Sequence, residues 1–122
     1  MTIAIWCILI AFILPYVAFS FVKGLEPNQP RARVPDLDGR SARAYAAQLN
    51  GFETAPLFAA SVIVAHMVAG PSRLVDILAI VYVLLRAGHL AAYLADRQPL
   101  RSAAFGIGQL VALAIFVSPL FR

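Results

Sequence analysis

Between Ile3 and Val22 twenty consecutive residues carry no charge, and three later runs of similar length are predominantly apolar. A bilayer core takes about 20 apolar residues of helix to cross. Such runs satisfy their backbone in lipid only as helices, each closing its own hydrogen bonds. A soluble alternative fails on area. The chain is 61% hydrophobic and 13% charged over 122 residues, whereas a soluble domain is about 45–50% apolar and about 25% charged. A fold of this size has too little interior for that much apolar surface. The expected fold is all-α: a single integral membrane domain, a bundle of four transmembrane helices.

The helices are expected at residues 3–22, 40–69, 74–95 and 101–121, with a loop over residues 23–39 that holds Pro27, Pro30, Pro35 and six charges. Asp38 or Ser41 stands where the second helix needs a cap. Gly70-Pro71-Ser72 ends that helix, and Asp96 to Pro99 forms a short turn. The first run reads as a span and not as a cleaved leader, because it lacks a basic flank, carries Pro15 near its centre and leads to no A-x-A-like site. Cys7, the one cysteine, reads as a small apolar residue.

Net charge is +4 with ten basic residues. Lys23, Arg31, Arg33, Arg40, Arg43, Arg97 and Arg101 flank the first and third loops, against Arg73 and Arg122 at the other end. This asymmetry predicts a multi-pass protein with loops one and three in the cytoplasm and both termini outside; the expected location is a bacterial inner membrane. The cations then meet anionic lipid headgroups. No interleaving of aromatic and basic residues suggests nucleic acid as a partner. Small residues four apart, Gly88 with Ala92 and Ser102 with Gly106, allow helices to approach closely and permit a homo-oligomer.

Charge inside the spans points to function. A charged side chain at the bilayer centre costs about 2.5–3.5 kcal/mol on insertion scales and survives by facing protein or a wet cavity. Arg43, Asn50 and Glu53 share one face of the second helix at a 3.6-residue period. Tyr82, Arg86, His89, Tyr93 and Asp96 make a stripe about 21 Å long on the third. Glu53 and Arg86 are expected to pair as carboxylate and guanidinium. That clasp could be structural, a border to a cleft, or both. His66 reads as an interfacial residue with no obvious partner. Its separation from His89 and Cys7 leaves no metal-ligand spacing. No phosphate loop or nucleophile elbow occurs, and no broken midplane helix suggests a transporter. What remains is a cationic, hydrogen-bonding patch near the cytoplasmic face, formed by Arg43, Arg97 and Arg101 with Asn50, Tyr93 and Ser102. It suits an anionic, peptide-like ligand beside a lipophilic one.

The stretch from Arg43 to Phe58, with its N-x-x-E-x-x-P-x-F core at Asn50, Glu53, Pro56 and Phe58, resembles the second-helix motif of the MAPEG family, the membrane-associated proteins in eicosanoid and glutathione metabolism. Arg86, His89, Tyr93, Arg101 and Ser102 are similar to the third-helix region of its prostaglandin-E-forming branch. The resemblance covers essentially the whole chain. It implies a homotrimer of four-helix subunits that binds glutathione as co-substrate between subunits near the cytoplasmic face. Asn50, Glu53, Tyr93 and Arg101 match glutathione contacts; Arg86 and His89 stand beside them as supports, and Arg43 adds a cation on the same stripe. Arg101, with Arg97 as competitor, matches the arginine that stabilises the thiolate, and Ser102 a serine proposed as thiol partner. The implied activity is a glutathione-dependent transferase or peroxidase acting on lipophilic electrophiles. The chain departs from the family at Ala46, where a second arginine is common, so Lys23 or Arg43 would have to supply that charge. The alternative is a non-catalytic membrane protein that kept the scaffold and lost the glutathione chemistry.

Overall fold

A computed structural model describes residues 1–25 and 27–122. The four expected helices form: α1 Ile3–Phe19, α2 Gly39–Ala69, α3 Arg73–Leu94 and α4 Gln98–Val117, with 3-10 turns at Pro30–Asp36 and Ser118–Phe121. No strand occurs among the described residues. α2, α3 and α4 are each long and apolar enough to cross a membrane, while the apolar α1 is shorter at 17 residues.

The boundaries that differ from expectation have local causes. α1 stops at Phe19, not Val22, where the Ser20 hydroxyl turns back to the Val17 carbonyl at 2.6 Å and competes with further helical bonding. α4 begins at Gln98, three residues early, because Pro99 sits in its first turn, where a missing N–H costs nothing. At the start of α2, Asp38 is the capping residue by position, but its side chain makes no cap; the Ser41 hydroxyl instead accepts from the Lys23 amide at 3.0 Å. Gly70, at φ 77, ends α2 in a conformation that favours glycine, and the Ser72 side chain caps α3.

Polar contacts sort the two ends of the bundle. At one end Arg43, near the start of α2, reaches the last turn of α3, so loops one and three are neighbours. At the other end the Asp76 carboxylate accepts from the Ala4 amide at 2.8 Å, and the Thr2 hydroxyl meets His66 Nε2 at 2.9 Å. His66 therefore has the partner that sequence reading did not find. Its Nδ1 lies 2.9 Å from the Val62 carbonyl, which can only accept, so in the neutral ring Nδ1 donates there and Nε2 accepts from Thr2. Arg122 closes this end by donating to the Gly70 and Ala65 carbonyls.

Small residues bring the helices together. Ala4, Ala11, Ala55, Ala65, Ala79 and Ala112 are buried in the core, and close backbone approach drives association in lipid. The tightest point is Gly51, where a Cβ would stand 2.6 Å from Cγ of Pro15 on α1. Phe58 and Tyr82 stack between α2 and α3 at 3.9 Å. The outward faces remain apolar, as at Leu84 and Leu110.

Candidate functional site

The α2 stripe divides according to which helix packs against it. Gly51 faces α1 and is buried. Asn50 lies one residue, about 100°, to one side of it. Glu53, two residues on and about 200° round from Gly51, points away from the helix bundle and is exposed. The expected pairing of Glu53 with Arg86 is therefore not made. Arg86 is only 6% exposed, and its Nη2 donates to Asn50 Oδ1 at 2.7 Å. Nη1 of Arg86 has no partner among the described residues. It borders a cavity of about 10 Å³ with Pro15, Gly51 and His89, close to the smallest space that holds one water.

The Arg86–Asn50 bond assigns a chemical role. With Oδ1 of Asn50 occupied by a guanidinium, the group that Asn50 has left to offer is its NH2, a donor. Asn50 also lines a cleft of about 210 Å³, together with His89, Tyr93, Arg101, Ser102 and Phe105. Five expected site residues thus converge from three helices. His89, 2% exposed, packs edge-on to Tyr93 at 5.2 Å. The Arg101 guanidinium lies over the Tyr93 ring, 4.3 Å from its centroid, a cation–π contact that holds the charge at the cleft without neutralising it.

Ser102 is oriented by a residue that sequence reading passed over. Gln98 Nε2 donates to Ser102 Oγ at 3.0 Å. The serine oxygen is then an acceptor in that bond, and its O–H remains free to donate into the cleft. Phe105, one turn on from Arg101, supplies an apolar wall. The only hint of Gln98 in the sequence is its i, i+4 spacing to Ser102; Phe105 was hidden within an apolar run.

Three other expected residues fall elsewhere. Arg43 spends Nε on the Tyr93 carbonyl at 3.1 Å and Nη2 on that of Leu94 at 3.4 Å, capping the end of α3 and not lining the cleft. Arg97 lies on a separate groove, with Gly88 and Leu100, so Arg101 has no rival here. Tyr82 belongs to the core, its hydroxyl 3.4 Å from the Thr54 carbonyl.

The sequence model of the MAPEG family matches residues 3–121. The chain belongs to the MAPEG family. Neither a curated protein nor a solved structure matches it. As a MAPEG protein it is a membrane protein, in keeping with its three bilayer-length helices and apolar surface. Arg43, one of the two cations expected to supply the charge missing at Ala46, is taken up by the end of α3.

Proposed function

We propose that this protein is a glutathione-dependent membrane transferase with peroxidase capacity, acting on lipophilic electrophiles. One observation carries the reading: a guanidinium, an amide donor and a hydroxyl with a free proton, from Arg101, Asn50 and Ser102, meet at one cleft beside an apolar wall. A thiol with ordinary pKa of about 8.5 reacts as its anion, and a fixed cation lowers the cost of forming it. Arg101 supplies the cation, and the Ser102 hydroxyl donates a hydrogen bond to the sulfur.

In conjugation the thiol proton leaves to water, the sulfur bonds to the electrophilic carbon, and the leaving group departs with its electron pair. In peroxide reduction the sulfur attacks one peroxide oxygen and the O–O bond breaks. The alkoxide takes a proton from water, and a second glutathione converts the sulfenic acid to disulfide and water. Holding both reactants in one cleft supplies proximity, and the lipophilic one enters from the membrane along Phe105.

Glu53 supports an assembled site. It is an exposed carboxylate on a membrane-length helix, without an ion-pair partner among the described residues, and such a group needs a protein or ligand partner in the assembly. One turn from Asn50, it is placed to meet the glutathione ammonium at a subunit boundary. Loops one and three, which with their flanks carry seven of the ten basic residues, lie in the cytoplasm of a bacterial inner membrane.

Isothermal titration of the purified oligomer with glutathione tests the proposal. Saturable heat, with a raised melting temperature, is expected. A flat titration at millimolar glutathione would remove the glutathione role. It would favour a scaffold without chemistry, a second reading that Ala46 and the engaged Arg43 support.

A further inference from the structure

A second cavity lies on another flank of α3 and α4, away from the glutathione cleft. It is a groove of about 450 Å³ lined by Gly88, Ala91, Ala92, Leu100 and Ala104, with Arg97 at its loop-three end. We infer that this groove binds an anionic phospholipid, an acyl chain lying on the glycine and alanines and the headgroup phosphate on Arg97.

The space is open. A Cβ at Gly88 would meet no atom within 4 Å, whereas one at Gly51 would strike Pro15 at 2.6 Å. Gly51 is small so that two helices of the bundle can touch, whereas Gly88 faces open space. The groove follows α3 from Gly88 to Ala95, about 10 Å of helix, which is the upper part of a chain hanging from a headgroup.

The distribution of charge selects the occupant. Below Arg97 no lining residue carries a polar side chain. The glutathione cleft differs, with Asn50, Arg101 and Ser102 on its wall. A surface that is apolar at depth and cationic at its end matches a lipid molecule standing in one leaflet. The guanidinium of Arg97 makes no hydrogen bond or ion pair among the described residues, so its charge is available to a phosphate, which guanidinium binds through paired N–H donors. The uncapped start of α4 beside it adds positive potential. A second copy of the chain is the competing occupant, since small residues four apart also suit helix packing. The group that calls for a protein neighbour, however, is Glu53 on α2, not any group on this groove.

The test is native mass spectrometry of the intact oligomer released from bilayers of equal phosphatidylglycerol and phosphatidylcholine. The expected result is retention of phosphatidylglycerol over phosphatidylcholine by about fivefold, the effect of one interfacial cation. Gly88→Phe, which fills the groove, should abolish retention of both lipids. Arg97→Gln should keep binding and lose the preference. Leu84→Phe, on an exposed position of α3, should behave as the parent. Equal retention of the two lipids, or parental behaviour of Gly88→Phe, overturns the inference. So does efficient disulfide cross-linking between copies through Ala91→Cys in a Cys7→Ser background, because another subunit would then occupy the groove. All readouts are independent of glutathione, so failure here and failure of the glutathione reading are separable.

Discussion

Arg97 and Arg101 stand one helical turn apart, and the structure separates their roles: Arg101 on Tyr93 in the polar cleft, Arg97 on the apolar groove. Arg101→Ala should lower kcat by about 100-fold, the scale of losing one charge-stabilising group, with an unchanged melting temperature. Arg97→Gln should leave turnover at the parental level. Steady-state kinetics with an aryl halide electrophile, paired with thermal melts, checks both. Gln98→Ala leaves Ser102 without its orienting donor. A several-fold fall in kcat with little change in KM for glutathione is expected, and Gln98→Glu should not rescue it, because a carboxylate accepts where the amide donates. Helical spacing singled out Asn50, His89 and Tyr93, and the basic patch and family resemblance Arg101 and Ser102, all of which line one cleft; none of these signals points to Gln98, which fixes the direction of another side chain.

Helices were legible at the level of elements because lipid leaves the backbone no other solution. Seven of the eight helix limits lie within three residues of expectation, the larger shifts tracing to Ser20 and Pro99, while α4 ends four residues early, at Val117, where a 3-10 turn carries on to Phe121. Crossing points were not legible. Gly51 reads as an ordinary helical glycine until α1 is laid on it and Pro15 fills the space where a side chain would stand. Gly51→Val should therefore destabilise the bundle by about 1–3 kcal/mol, the usual cost of overpacking, read as a lower denaturation midpoint in detergent. It should also weaken glutathione binding, since Gly51 sets the position of Asn50. At the far end Asp76→Ala removes the carboxylate that caps α1. Faster hydrogen exchange at Ala4 is expected, with glutathione binding preserved.

For the whole molecule, contacts show that loops one and three share an end and that both chain ends share the other. Phosphatase fused after Arg122 should be active on the periplasmic side, and a fluorescent protein at the same point dark; the reverse pattern would invert the proposed orientation. Glu53 acts at this scale too. Glu53→Gln should weaken glutathione by about tenfold or more, the worth of a charge-assisted hydrogen bond, in an oligomer of parental mass by light scattering. A monomeric product would instead make Glu53 an assembly contact.

Composition and run length sufficed for the solvent, the helix count and the end at which polar chemistry collects, because lipid penalises charge and open backbone so heavily that few alternatives survive. Periodicity placed Arg43, Asn50 and Glu53 on one stripe, yet their fates diverge: a helix cap, a cleft donor and an outward carboxylate. That division depends on where α1 and α3 press against α2. Such close approach is a property of neighbours in space, and no spacing along one helix encodes it.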